Sequence, residues 1–519
     1  MQPLPPPAEL LPLPDSPLPQ PVPNVPLSVF VDRFEITGST VFTAEELAAV
    51  TDPFSGRELT FAELLQARSA VTQLYVDRGY LTSGAILPPQ TLDRGVVQIQ
   101  VIEGQVEAIN VSGTDRLRPS YVRDRLARAA ATPLNVNRLL EGLQLLQLDP
   151  LIGSISADLQ AGVQPGTSLL QVAVTEADSL SFGVGADNNR SPSVGSFRRQ
   201  ADITQANLLG LGDAVQLGYS NTAGSNGFDV SYTLPINPQN GTVRLAFGIT
   251  GSRVIEEPFD ALDISATSRY YELSLRQPLT RSPTEEIALG LSFSRQESQT
   301  ELGFDDRGPY PLSPGADAEG RTRISALRFS QDWTRRSDRD VVAVRSQFSL
   351  GLSLFNATIN DDEPDSRFLA WQGQGQWVRL LAPDTLLLLR GTVQLADAEL
   401  VSLEQFGLGG QATVRGYRQD ALLTDNGALL SAEVRLPILR VPQARGVLQA
   451  APFVEVGTAW SFGDAAPAQT IAGVGVGLVW RMGDNFSARV DWGIPLIEIE
   501  AGDRSLQENG LYFSIDSRF

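Results

Sequence analysis

The spacing of apolar and polar residues changes once along this chain, near residue 180. Before that point, apolar residues recur at helical spacing in some stretches and alternate with polar ones in others, which indicates mixed helices and strands. After it, runs of about nine to thirteen residues alternate apolar and polar positions between clusters of Gly, Pro, Asp and Asn. The chain is therefore predicted to contain α+β modules followed by an all-β region.

Residues 29–104 predict one small module with the element order β-α-α-β-β. A strand covers residues 29–37, and Thr43 starts a short helix in which Glu46 has the position of a capping-box partner. A longer helix and two further strands are predicted at residues 61–79, 81–87 and 95–102.

The same element order recurs in residues 105–178. Its strands and helices are predicted at residues 106–111, 119–130, 136–148, 155–159 and 168–174. Two copies of one element order at a spacing of about 75 residues form an internal repeat.

Residues 1–28 form an arm rich in proline and leucine. Proline at this density blocks helix and ladder hydrogen bonds, so a semi-rigid tether is expected, with a docking peptide as the alternative. Met1 leads directly into prolines and no signal peptide is visible. The expectation for an exported protein is that the signal was removed or lies upstream.

Residues 179–519 predict about 16 strands, an even number typical of a membrane β-barrel. One predicted strand shows the pattern clearly, since its apolar and polar residues fall on opposite faces: Leu430, Ala432, Val434 and Leu436 against Ser431, Glu433 and Arg435. Charged residues in mid-strand would line a wet lumen if the sheet closes. In the last strand Phe513, Ile515 and Phe519 share one face, and pairing with the first strand would remove an aggregation-prone edge.

The amino-acid composition excludes several classes of function and of catalytic site. The chain has 60 acidic and 40 basic residues, and its net charge of −20 disfavours nucleic-acid binding. It has no cysteine and no histidine, which excludes Ser-His-Asp and Cys-His catalysis and makes most zinc sites improbable. No enzymatic activity, cofactor or metal is therefore expected.

Short stretches of both modules resemble the POTRA modules of ShlB/FhaC-type proteins. They lie at residues 36–40, 75–80, 87–90, 101–104, 145–150 and 165–169. The remainder resembles the 16-stranded barrel of two-partner secretion (type Vb, TpsB) transporters of the Omp85 superfamily. The resemblance implies a proline-rich periplasmic arm at 1–28, POTRA 1 at 29–104, POTRA 2 at 105–178 and a transmembrane barrel at 179–519.

The family carries an Arg-Gly-aromatic motif on a long loop that folds back into the barrel. The matching residues here are Val414, Arg415, Gly416 and Tyr417, in a connection at residues 396–426. A loop of this length is uncommon unless it is functional.

The family places the acidic partner of the loop arginine in a Phe-x-Asp-x-Gly motif. This chain has Phe453, Glu455 and Gly457, so a glutamate replaces the aspartate. Alternation puts these three residues on the lumen face, and a looser pairing with Arg415 is expected from the extra methylene. Asp491 is the fallback partner. Phe513, Ile515 and Phe519 are further expected to serve in barrel closure and assembly.

The resemblance implies an outer-membrane translocator that secretes an unfolded, TpsA-like exoprotein without ATP, with its POTRA modules in the periplasm. Its further expected partners are outer-membrane lipid, periplasmic chaperones and the barrel-assembly machinery. Three alternatives stay open at this point. They are an outer-membrane protein insertase of the same superfamily, a passive porin, and a soluble enzyme on a β-rich scaffold.

Overall fold

The computed structural model describes residues 28–91, 93–362, 364–462, 467–499 and 505–519. The predicted arm at 1–28 thus lies outside the described residues except for Ser28. The described chain divides into two compact units: the residues up to Asp178 with Leu209–Leu211, and Ser179–Leu208 with Gly212–Phe519. None of the helices in these ranges combines the length and the apolar character that a bilayer crossing requires.

The first module contains a three-stranded sheet and two helices. Its elements are β1 (Val29–Val31), β2 (Arg33–Thr37), α1 (Ala44–Thr51), β3 (Arg57–Leu59), α2 (Phe61–Asp77), β4 (Gly84–Ile86) and β5 (Val96–Ile102). The sheet has the order β2-β5-β4, with β2 parallel to β5 and β4 antiparallel to it. The predicted capping box is confirmed, because Thr43 and Glu46 each accept a hydrogen bond from the other's backbone N–H.

One predicted strand of this module is wrong. The stretch at 29–37 is broken after Val31, and β1 pairs with β3, a strand that the pattern did not predict. The break arises because Asp32 donates its N–H to Gly95 while Val31 accepts from Gly56. The chain therefore leaves one sheet and enters another within two residues.

The second module repeats the architecture, and its predicted element order is confirmed. Its elements are β6 (Gln105–Ser112), α3 (Pro119–Ala129), α4 (Val136–Gln147), β7 (Ile152–Ala161) and β8 (Thr167–Glu176). The sheet order is β6-β8-β7, which places β6 and β7 at its edges.

The second unit is a closed antiparallel barrel of sixteen long strands, as predicted. Its strands are β9 (Leu180–Asp187), β10 (Arg198–Ala206), β11 (Ala214–Asn221), β12 (Ser225–Pro235), β13 (Thr242–Arg253), β14 (Ile264–Arg281), β15 (Glu285–Leu302), the two-residue β16 (Gly308–Pro309), β17 (Arg321–Arg336), β18 (Asp340–Leu352), β19 (Leu369–Ala382), β20 (Thr385–Ala396), the loop strands β21 (Phe406–Leu408) and β22 (Leu422–Thr424), and then β23 (Asn426–Val441), β24 (Gly446–Trp460), β25 (Gln469–Met482), β26 (Phe486–Pro495) and β27 (Leu511–Arg518).

Short 3-10 segments occur in both units. They are Asp52–Phe54, Pro192–Val194, Phe259–Leu262, Phe304–Asp306 and Pro442–Ala444.

The connections differ in length between the two ends of the barrel. At the end where β9 starts they run from two residues at 383–384 to seven at 207–213, and the longest at the opposite end is 397–425. The barrel closes because β27 pairs with β9 as well as with β26. Alternation separates its two faces, since Val454 is 50% exposed on the outside while Glu455 is fully buried inside.

Candidate functional site in the barrel lumen

The long loop at residues 397–425 connects β20 to β23 and folds as a hairpin. Its strands β21 and β22 pair antiparallel, with Gly407 opposite Leu423. A mostly apolar cluster holds this hairpin: it joins Phe406, Leu408, Val414 and Tyr417 of the loop to Leu429, Ala459 and Ile471 of the barrel wall. The loop tip, residues 409–421, is thereby brought against the inward face of the barrel.

The base of the loop is fixed separately. Leu400 and Val401 are buried among residues of β17 and β19 and of the segment before β19. Glu404 forms a 2.5 Å ion pair with Arg328 of β17. The Asp425 carboxylate accepts the Leu400 N–H at 2.8 Å, which ties the two ends of the loop together. The base therefore has both apolar and polar anchors.

Arg415 at the loop tip is enclosed by three carboxylates. Its Nη2 lies 2.5 Å from Glu455 Oε1, and its Nη1 lies 3.0 Å from Glu433 Oε2 and 3.1 Å from Asp491 Oδ1. The Arg415 backbone N–H also donates to Glu455 Oε2 at 2.8 Å. The side chain of Arg415 is 1% exposed. These four residues are called the Arg415 cluster below.

Two further arginines complete the charge balance around the Arg415 cluster. Arg489 contacts both Glu433 and Asp491 at 2.6 Å, and Arg435 contacts Glu433 at 2.7 Å. Three carboxylates thus form hydrogen-bonded ion pairs with three arginines, so desolvation is offset by close opposite charges and charge-assisted hydrogen bonds. The Phe453 ring covers the guanidinium of Arg415, whose Cζ lies 3.3 Å from the ring centroid, a cation–π geometry.

The loop backbone next to Arg415 lies directly on the barrel wall. Gly416 has φ +109°, and its N–H donates to the Tyr512 hydroxyl of β27 at 2.9 Å. A side-chain carbon at Gly493 would lie 2.6 Å from the Gly416 nitrogen, too close for a real contact. Tyr417 extends the contact, because its hydroxyl lies 2.9 Å from the Ala472 carbonyl. Glycine in the wall therefore makes room for the loop tip.

The comparisons with known proteins agree with this architecture. A family model described as "Haemolysin secretion/activation protein ShlB/FhaC/HecB" matches residues 166–480, more than half of the chain. The chain belongs to this family. A model of the ShlB-type POTRA domain matches residues 29–104.

Relatives and solved structures extend the match over most of the ShlB-family chain. The Heme/hemopexin transporter protein HuxB of Haemophilus influenzae (strain 86-028NP) is 24% identical over 80% of this chain and 72% of its own. The outer membrane transporter CdiB of Escherichia coli O6:K15:H31 is 25% identical over 90% and 79%. The structure of CdiB from Escherichia coli has the same fold, with a TM-score of 0.74 and 21% identity over 97% of this chain and 93% of that one.

These findings establish what the ShlB-family chain does. It is an outer-membrane translocator of two-partner secretion, with its POTRA region in the periplasm and a secreted exoprotein as its partner. The predicted family, fold class, function and location are thus confirmed.

The structure brings the sequence-predicted loop and wall residues together. Glu455 and its fallback Asp491 contact Arg415 at the same time. The looser pairing expected from glutamate is wrong, because both Glu455 oxygens approach Arg415 Nε, at 3.2 and 3.1 Å. The longer side chain reaches the guanidinium from the wall. Gly457 lies beneath Leu408 of the loop rather than in the Arg415 cluster.

Sequence reasoning missed four contributors: Glu433, Arg435, Arg489 and Tyr512. Alternation places Glu433 and Tyr512 on the lumen faces of their strands, a signal that was available. Their contacts with the loop tip depend on register across several strands, which one sequence does not specify.

Of the residues predicted to close the barrel, Phe513 and Ile515 lie on β27 and Phe519 directly follows it. Ile515 pairs with Ala186 of β9, and the Phe513 N–H donates to Asn188 Oδ1 at 2.7 Å. Phe519 exchanges backbone hydrogen bonds with Phe182, at 2.9 and 3.1 Å. These residues are separate from the Arg415 cluster and lie along the junction of the first and last strands.

Proposed function

We propose that the loop at 397–425 is a removable plug of the secretion pore and that the Arg415 cluster holds it closed. This loop is called the plug loop below. The observation that carries the proposal is a fully enclosed arginine on a loop whose three carboxylate partners all belong to the barrel wall. An ion pair between a loop and a wall can be broken without unfolding either one.

The energetics of the Arg415 cluster suit a plug loop that must close the pore and also be able to leave it. Removing one partner of a buried ion pair costs about 3–5 kcal/mol, because it leaves a charge uncompensated. The Arg415 cluster borders the wet lumen, since the side chains of Arg435 and Arg489 are 18% and 20% exposed. Water can therefore replace part of the lost contacts when the tip leaves. The plug loop is held firmly without being held permanently.

The lumen offers a polar route to an unfolded client. One cavity of about 730 Å³ lies inside the wall formed by β9 to β12 and β25 to β27. Its lining includes Gln200, Asp202, Gln216, Asp516 and Arg518. Polar and charged walls can solvate a passing backbone, so we propose that the exoprotein crosses through the lumen as an extended chain, with no enzymatic step.

The POTRA modules supply a recognition surface for that client. In the second module β6 and β7 are edge strands, and β7 spans ten residues. An extended peptide can add to such an edge through backbone hydrogen bonds. We propose this mode of client capture, with outer-membrane lipid against the apolar outer face and periplasmic chaperones and the barrel-assembly machinery as partners during biogenesis.

The plug assignment is tested with Arg415→Gln, measured by single-channel conductance in planar bilayers and by secretion of the cognate exoprotein. Loss of the guanidinium leaves three wall carboxylates with only two hydrogen-bonded arginines, so the open probability should rise at least about tenfold. Secretion should fall, because an unanchored hairpin samples many positions in the lumen. Arg415→Lys should be impaired as well, since an ammonium cannot donate in the fork geometry of a guanidinium.

The control for this experiment is a measurement of whether each variant still folds into the barrel. Heat-modifiable migration in gels should match the wild type for both variants, because the wall itself is unchanged. A folded Arg415→Gln protein with wild-type conductance and wild-type secretion would rule out the plug assignment.

A further inference from the structure

Arg390 lies beside the Arg415 cluster on the lumen face of β20. It pairs across the sheet with Ser431 of β23, which in turn pairs with Glu455 of β24. Arg390, Ser431 and Glu455 therefore form a row across three neighbouring strands. This row leads from the open lumen to the carboxylate that binds the loop tip most closely.

The three carboxylates of the Arg415 cluster differ in which arginines still contact them after the loop tip leaves. Glu433 keeps Arg435 and Arg489, and Asp491 keeps Arg489. Among the described residues, Glu455 has Arg415 as its only hydrogen-bonded cation and otherwise accepts from Ser431 at 3.0 Å. Release of Arg415 therefore leaves one particular carboxylate, Glu455, without a hydrogen-bonded cation.

Within the described part of the chain, Arg390 is the cation nearest to Glu455 after Arg415. Its Nη2 lies 3.8 Å from Glu455 Oε1, just beyond hydrogen-bond length. Its side chain is 39% exposed and borders a cavity of about 530 Å³, so it has space to move. A shift of about 1 Å would bring the pair to contact.

We propose that Arg390 forms an ion pair with Glu455 when Arg415 leaves. Arg390 therefore stabilises the open state of the pore more than the closed state. This inference rests on the proposed plug function. In the closed state Glu455 is already bonded to Arg415, and repulsion from this neighbouring guanidinium offsets part of the attraction between Arg390 and Glu455. In the open state Arg390 has the full attraction of an otherwise uncompensated buried charge. A group that favours one state of a two-state equilibrium shifts its population accordingly.

The experiment measures open probability and open lifetime in planar bilayers for folded wild type, Arg390→Gln, Arg390→Lys and Glu455→Gln. Arg390→Gln should lower the open probability, by roughly tenfold at most, because partial hydration of Glu455 replaces part of the lost contact. Arg390→Lys should stay close to wild type, because one positive point charge suffices at this position. Arg345→Gln is the matched control, since Arg345 borders the same cavity and pairs with Asp332 rather than with Glu455.

A double-mutant cycle makes the assignment specific. In a Glu455→Gln background Arg390 has no carboxylate at position 455 with which to form an ion pair. Adding Arg390→Gln should therefore change the open probability less than about twofold. An equal effect of Arg390→Gln in both backgrounds would overturn the proposal. A rise in open probability for Arg390→Gln in the wild-type background, or no change at all, would overturn it too.

Failure of this inference is distinguishable from failure of the plug function. If Arg415→Gln opens the channel while Arg390→Gln leaves it unchanged, the plug stands and the take-over by Arg390 is wrong. If Arg415→Gln leaves the channel closed, both are wrong.

Discussion

Arg415 differs from the exposed arginines of this chain in how completely its donors are used. Its Nε, both terminal nitrogens and its backbone N–H all point at wall carboxylates. A glutamate at 455 reaches both the guanidinium and the backbone of the same residue, which fixes the tip in position and orientation. The side chain at position 455 is therefore one determinant of how the loop docks.

The family motifs predicted Arg415 and Glu455, and strand alternation placed Glu455 on the lumen face, whereas Asp491 was predicted only as a fallback partner. The sequence did not predict Glu433 as a ligand, although alternation placed it on the polar face of β23. The choice among lumen-facing residues depends on strand register and loop conformation, which are set by contacts between distant parts of the chain.

A pH effect is expected at a residue of the first POTRA module. Glu63 accepts the Thr60 backbone N–H and pairs with Arg57, which lowers its pKa from 4.5 to about 2. A lowered pKa means that the charged carboxylate stabilises the fold above pH 4.5 and that this contribution is lost as the pH falls towards 2. The full chain in detergent, with ¹³C-labelled glutamate carboxyls, should show Glu63 titrating near pH 2. Titration at its ordinary pH of about 4.5 would contradict the capping geometry.

At the scale of elements, the alternation pattern predicted the barrel strands well because one face meets an apolar and the other a polar environment. The same logic failed for β1 and β3, two three-residue strands that are too short to show a period. It also could not show that the loop contains a hairpin. The pairing of β21 with β22 involves three residues on each side.

Close packing of the loop tip against β26 predicts a strong effect of one added methyl group. Gly493→Ala would place a carbon 2.6 Å from the Gly416 nitrogen, so the tip must shift, at a cost of about 1–3 kcal/mol. Channel open probability should therefore rise. Gly218→Ala is the matched control on the lumen face of β11, because its new carbon would meet its nearest neighbour at 3.8 Å. Equal conductance of the two variants would argue against tight docking.

At the scale of the whole molecule, the junction that closes the barrel separates two possible routes. A client can pass through the lumen while the junction stays closed, whereas release through the wall requires the junction to open. The last strand β27 meets β9 over five residue pairs, fewer than the seven that join it to β26. An insertase that hands strands sideways to the membrane would need this junction to open. A translocator that uses the lumen does not.

A disulfide across the junction separates these two possibilities. The chain has no cysteine, so Ala186→Cys with Ile515→Cys introduces one defined pair at opposed positions. Secretion of the exoprotein should continue after oxidation, at a level within about twofold of the reduced protein, because the lumen is unaffected. Ile515→Cys alone controls for the substitution. A loss of secretion that reductant reverses would show that the junction must open.

Cross-linking shows whether the plug loop must move during secretion. Arg418 of the loop tip forms 2.8 Å and 3.1 Å ion pairs with Glu256 and Glu508 of two other loops. The double variant Arg418→Cys with Glu256→Cys can be bridged by a short bismaleimide, since the native side chains already span this gap. Secretion by the same protein is then measured before and after bridging, with each single variant treated in parallel. We expect bridging to abolish secretion while the treated single variants keep their own untreated level. Undiminished secretion by the bridged protein would show that the plug loop does not have to move.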